Sequence, residues 1–228
     1  MREKEIVQAL SHRRFSKHGV AQGGERQGSG HCHLKWPDPA KARQFNASPH
    51  GSKAVLFTAQ MSNIPTIHRD VRIGHVHLKV GDLERALAFY CGILGFELTQ
   101  RYGREAAFVS AGGYHHHIGL NTWESRGGSP PPRGTTGLFH VAILYPSRAE
   151  LADALQRLLR AGIQIDGASD HGVSEALYLR DPDENGVELY WDRPPEEWPR
   201  SSDGGIEMFT HPLDLDRLLA EAKSPHVS

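Results

Sequence analysis

An internal repeat constrains this chain more than any other feature. VRIGHVHLKV (71–80) and LFHVAILYP (138–146) both read as strands, and His75-Val76-His77-Leu78 aligns with His140-Val141-Ala142-Ile143. A run with helical spacing follows each: LERALAFYCGILG (83–95), after a capping Asp82, and SRAELADALQRLLRAG (147–162). Gly95 and Gly162 stop the two helices. Three strands then follow in each copy. In the first they are FELTQRY (96–102), EAAFVSA (105–111) and HHIGLNTW (116–123). In the second they fall around Ile163–Asp166, Ser174–Arg180 and Gly186–Asp192, and the tight turn DPDENG joins the last two as a hairpin. A tandem supersecondary unit fixes the architecture. The expectation is an α+β fold of two βαβββ modules, about 71–123 and 137–192, pairing into one cupped mixed sheet with helices outside. The Gly/Pro-rich stretch 124–137 links them.

The rest of the chain divides around this repeat. Residues 1–60 are rich in Gly, Ser, Pro, Gln and charge, and bury too little apolar surface to offset ordering entropy. They are expected to be a disordered extension, with His31-Cys32-His33 a chance cluster in it and Met61 the true start of translation. Residues 61–200 form the domain. Residues 201–228 form a tail with a short helix in PLDLDRLLAEA, whose Leu213, Leu215, Leu218 and Leu219 pack on the domain or on a second subunit.

Charge and composition exclude several classes. Lys+Arg 26 against Asp+Glu 27 gives a formal charge of −1 and no sign of a nucleic-acid partner. Two cysteines in unrelated contexts, Cys32 and Cys91, make no disulfide framework and suit a reducing cytoplasm. No apolar run approaches the ~18 residues needed to cross a bilayer. The 15 histidines stand out, because histidine is the commonest metal ligand and titrates near neutrality.

Strand parity selects among them. Val76/Leu78 and Val141/Ile143 belong to the helix-covered face, so His75 and His140 point into the cup. Val187 and Leu189 pack outward likewise, which turns Glu188 and Tyr190 inward. A buried carboxylate without a partner is costly, and a divalent cation removes that cost. Two histidines and one carboxylate with open positions match the facial triad of non-haem Fe(II) oxygenases, although Zn, Ni or Mn(II) accept the same ligands. The repeat places Gly119 opposite Glu188 in the alignment, so module one supplies no carboxylate. His77 shares the cup face and reads as pocket lining. Trp123 and Trp191 read as pocket wall or core, Cys91 as a packing residue, and Arg180 with Asp181 as a structural pair.

From Val71 to Asp192 the chain resembles the vicinal oxygen chelate superfamily. GHVHLKVGDLERALAFYCGILGFEL, GGYHHHIGLNTW, LFHVAILYP and DHGVSEALYLRDPDENGVELYWDRP, in that order, are similar to its small catechol 2,3-dioxygenase type. The resemblance extends to the PLDLDRLLAEA tail but not to the first 60 residues. It implies that His75, His140 and Glu188 hold Fe(II), that His116 is the acid–base catalyst, and that Tyr178 hydrogen-bonds the substrate near the metal. It also implies a role for His171, in the loop before that tyrosine, although its spacing is shorter than in larger two-domain members. The substrates implied are a small aromatic diol and O2, in aromatic catabolism. The product is a ring-opened 2-hydroxymuconic semialdehyde. The cup forms within one chain, so a homo-oligomer would be an addition to it.

Parity alone sets His115 and His117 beside Gly119 on the cup face. The conflict with His116 disappears if the strand opens with a bulge or begins only at His117. Within the same fold, the rivals are a glyoxalase-like lyase or isomerase, a fosfomycin-type transferase, and a metal-free drug-binding protein of the bleomycin type. Glyoxalase I wants a carboxylate where Gly119 stands, and the converging ligands speak against a metal-free cup.

Overall fold

The computed structural model describes residues 66–222. The expected disordered extension, the His31-Cys32-His33 cluster and the start at Met61 lie outside the described residues. The chain clusters into two units, and all but the first two residues of the repeat lie in the one that takes in Ile73 onward. Of the other, Phe15–Arg72, the described part holds a turn in which the Val71 N–H donates to the His68 carbonyl at 2.9 Å.

Module one runs through β1 (Val76–Lys79), α1 (Leu83–Leu87), β2 (Glu97–Tyr102), β3 (Ala106–Ser110) and β4 (Ile118–Asn121). Module two repeats the order with β5 (Val141–Leu144), α2 (Arg148–Arg160), β6 (Ile165–Asp170), β7 (Ser174–Arg180) and β8 (Gly186–Asp192). In each the first strand runs parallel to the last and the remaining pairs are antiparallel. The α+β fold of two βαβββ modules is the one the repeat predicts. Each module closes its own ladder, β1-β4-β3-β2 in one and β5-β8-β7-β6-β9 in the other, where β9 is His211–Pro212. Register carries the repeat to the level of residues: His77 pairs with Gly119, and Ala142 pairs with Glu188.

Two elements differ from the sequence pattern. The strand placed near 163–166 begins at Ile165 and runs to Asp170. Gly167-Ala168-Ser169 has no large apolar alternation, and its strand geometry comes from partners on both sides, β7 and β9. The first helix is α-helical only to Leu87 and widens into a π-helical turn over Ala88–Ile93. That turn holds the consecutive aromatics Phe89 and Tyr90, both buried, with rings edge-to-face at 5.0 Å. Asp82 and Ser147 cap the two helices by accepting from the Arg85 and Glu150 N–H groups. Gly95 (φ 87°) and Gly162 (φ 70°) end them in the left-handed region.

Both helices cover one face of the sheets. Leu83, Ala86, Phe89 and Tyr90 from module one and Leu151, Leu155 and Leu158 from module two share one core with Leu78, Val109, Leu120, Leu177 and Leu189. Each fully buried leucine contributes about 1.5–3 kcal/mol. The alternate positions on these strands are thereby turned to the opposite face.

The DPDENG turn latches the modules together. Asp181 accepts from the Tyr90 hydroxyl at 3.0 Å and from the Asp183 and Asn185 N–H groups, while Asp183 accepts from Gly81 N–H (2.8 Å) and Arg85 (2.7 Å). The expected Arg180–Asp181 pair is not what forms. Asp181 is committed to Tyr90 and the turn, and Arg180 bridges to Asp166 at 3.0 Å.

The tail folds back. Asp214 caps α3 (Leu215–Leu219), Leu218 is fully buried, and Leu213, Leu215 and Leu219 pack against the core. An ion cluster lies beneath. Glu175 joins Arg148 (2.7 Å) to Arg193 (2.8 Å), Arg193 also clasps Asp170 (2.8 and 3.0 Å), and Arg148 reaches Glu221. No helix among the described residues is long and apolar enough to cross a membrane.

Candidate active site

The sequence-selected side chains fall into two groups, one per module. In module two, His140 stands just before β5 and Glu188 on the neighbouring β8, with His140 Nε2 2.9 Å from Glu188 Oε2. That approach is an ion pair when His140 is protonated, and it is equally the spacing of two ligands on a common cation. Tyr178 is the cross-strand partner of Glu188. Its hydroxyl lies 2.7 Å from His171 Nε2, and its ring 5.9 Å from that of His140. Burial first, then the nearby Glu188 charge, push the Tyr178 phenol far above its ordinary range, so it stays a neutral O–H.

The loop carrying His171 is held from three sides. Asp170 accepts from Gly172 N–H at 2.8 Å and from Arg193, while Arg193 also reaches the Gly172 carbonyl. His171 N–H donates to Ser174 O. Its Nδ1 lies 2.9 Å from the Phe209 carbonyl, in the segment leading into β9.

In module one, His75 precedes β1 and gathers imidazoles around it. Its ring centroid is 4.3 Å from that of His116, 5.4 Å from His77 and 6.4 Å from His115. Phe108 packs on His116 at 4.9 Å, and Trp123 stacks on His77 at 6.5 Å. Among the described residues, one set of three metal-ligating side chains has its donor atoms within 4.8 Å of one another, and it is His75, His77 and His116. His77 is the member that sequence reasoning set aside as pocket lining. Its signal was its shared parity with His75.

The histidine run separates by role. β4 starts at Ile118, so His116 lies in the turn leading into it, and its ring faces His75. His117 bonds elsewhere, with its Nδ1 2.9 Å from Ser110 Oγ and accepting from Ala111 N–H at 3.3 Å. His115 and His116 share a hydrogen bond between their Nδ1 atoms at 2.7 Å. His116 Nε2 is left buried without a protein partner. Burial first, then repulsion from the neighbouring imidazoles, hold its pKa below the usual histidine value, so the neutral ring dominates near neutrality.

The donor chemistry fits a divalent cation. His140 Nε2 and the little-exposed Glu188 carboxylate (13 %) lie 2.9 Å apart, and His116 Nε2 is buried and unpartnered beside His75. His140, Glu188, Tyr178 and His171 are brought together, as are His75 and His116. The structure groups His75 with His77 and His116 rather than with His140 and Glu188.

The chain belongs to the Glyoxalase/Bleomycin resistance protein/Dioxygenase superfamily, which it matches over residues 72–189. It is 44% identical over 158 residues to the Catechol-2,3-dioxygenase of Bacillus subtilis (strain 168), an alignment covering 69% of this chain and 54% of that protein. It is 34% identical over 131 residues to Biphenyl-2,3-diol 1,2-dioxygenase 3 of Rhodococcus globerulus, covering 55% of this chain and 67% of the relative. A solved glyoxalase/dioxygenase from Nostoc punctiforme is 17% identical with a TM-score of 0.48, over 58% of this chain and 100% of that one. The chain thus spans 54% of the length of the Bacillus relative.

Proposed function

We propose that this chain is an extradiol ring-cleaving dioxygenase that acts on a catechol with O2 at a non-haem Fe(II) site held by His75, His140 and Glu188. The observation that carries the reading is the convergence on Glu188. A histidine, a neutral tyrosine and, through that tyrosine, a second histidine surround one little-exposed carboxylate. The two dioxygenase relatives favour the same reaction class.

Bound there, Fe(II) would supply the coupling between diol and O2. The protein's part is proton handling and orientation. His116, neutral and with Nε2 unpartnered, accepts a hydroxyl proton from the diol and later returns it. Tyr178, held in place by His171, orients a substrate oxygen by a hydrogen bond. The expected product is a 2-hydroxymuconic semialdehyde. The test is anaerobic iron reconstitution, with metal content measured, followed by oxygen uptake against a panel of catechols. Iron-loaded protein that consumes no O2 and forms no yellow product with any of them would falsify the reading.

One observation favours a second reading. His75, His77 and His116 form an all-nitrogen set, which suits zinc and a glyoxalase-like lyase. Gly119 offers no carboxylate to complete such a site, and the two readings separate in a glutathione-adduct assay.

A further inference from the structure

The segment after the repeat contributes a backbone group to the site. The Phe209 carbonyl lies 2.9 Å from His171 Nδ1, and a carbonyl oxygen only accepts. Nδ1 must therefore carry the hydrogen. Thr210 Oγ1, 3.3 Å from the same nitrogen, is placed to accept from it as well. In a neutral ring Nε2 is then a bare lone pair, and it sits 2.7 Å from the Tyr178 hydroxyl. Tyr178 has a single hydrogen and two acceptors near it, His171 Nε2 and the Glu188 carboxylate. If that hydrogen went to Glu188, two lone pairs would face each other at 2.7 Å between Tyr178 and His171.

We propose that the Phe209 carbonyl is a positioning group that locks His171 as its Nδ1–H tautomer, so that Tyr178 donates its hydrogen to His171 and turns its oxygen to the cup as an acceptor. The segment is built to hold this contact. Phe209 N–H donates back to the His171 carbonyl at 3.3 Å, β9 pairs with β6 immediately afterwards, and the Phe209 ring covers Gly172 so closely that a Cβ there would lie 2.7 Å from it. Two consequences follow. Glu188 keeps both oxygens free of the phenol hydrogen. If the dioxygenase reading holds, on which this second consequence rests, Tyr178 receives a hydrogen bond from a substrate hydroxyl. It therefore selects a diol that still carries a proton there.

The test needs neither substrate nor turnover, so its outcome is separate from that of the dioxygenase reading. Full-length protein labelled with 15N-histidine is examined by two-bond 1H–15N correlation, at a pH about two units above the usual histidine value so that the rings are neutral. His171 is assigned by the loss of its signals in His171→Gln. The expected pattern is the Nδ1–H form, with Nε2 shifted far downfield of Nδ1, in the wild type and equally in Tyr178→Phe. An Nε2–H form or a rapid mixture in the wild type overturns the proposal. An Nδ1–H form that is lost in Tyr178→Phe also overturns it, because the tautomer would then be set by the tyrosine.

Discussion

His77 lies over Gly119, and its imidazole occupies the space a side chain at 119 would need: a Cβ there would sit 2.7 Å from the ring. The two residues are register partners on β1 and β4, so the backbones cannot part and the His77 ring must turn out of its place to make room. Gly119→Ala is therefore expected to destabilise the protein by about 1–3 kcal/mol. His77→Ala should relieve most of that cost in the double variant. Urea denaturation of the two single variants and the double variant reads the coupling directly, and additive effects would show that the contact is not the cause.

Metal content separates the two candidate ligand sets. Under the proposed function Glu188→Gln should lose iron affinity by at least about tenfold, since outer-shell changes alone reach that size. His77→Gln should retain iron. The reverse pattern, measured by elemental analysis after anaerobic reconstitution, would move the site to the three imidazoles of module one.

Tyr90 gives a pH signature at the module seam. Burial first, then the Asp181 charge and hydrogen bond and the Asp183 charge, push its phenol far above the ordinary value. Its folded-state pKa is thus raised. The stability it contributes is fully present below the unfolded tyrosine value and is lost as pH rises past about 10. Wild type should weaken there more steeply than Tyr90→Phe, followed as denaturation midpoint against pH. At neutral pH Tyr90→Phe should cost about 1–3 kcal/mol, because it removes a hydrogen bond to a buried carboxylate and leaves that oxygen with Asn185 Nδ2 alone.

At the C-terminal end, Leu218→Ala removes a fully buried side chain from the face packed on α2. A loss of about 2–5 kcal/mol is expected. A surface leucine would give far less in the same chemical denaturation experiment.

The fold was legible because it is written twice. Parity around Val76/Leu78 and Val141/Ile143 needs only the alternation of a strand, and the repeat confirms it independently at His75 and His140. The same parity failed for His115 to His117, since it assumes that the strand already exists there, whereas β4 begins at Ile118. The π-helical turn at Ala88–Ile93 had no sequence signal, because LERALAFYCGILG keeps good helical spacing in either geometry. β6 was misplaced because its residues are small and polar, and partner strands define it. The Phe209 contact was invisible for a simpler reason: a backbone carbonyl belongs to every residue, so no letter marks the one that matters. Asp181 was assigned a neighbour, Arg180, when its main partner, Tyr90, is 91 positions away.

That separation has a kinetic meaning. The latch between Tyr90 and the DPDENG turn closes a loop of most of the repeat, and its second half is the hairpin that completes module two. Contacts so distant in sequence form after local ones, because loop closure must be met before they reward it. Tyr90→Phe should then leave the refolding rate nearly unchanged and speed unfolding instead. The seam thus acts as the protein's fuse, setting how long the folded chain lasts rather than how fast it is made.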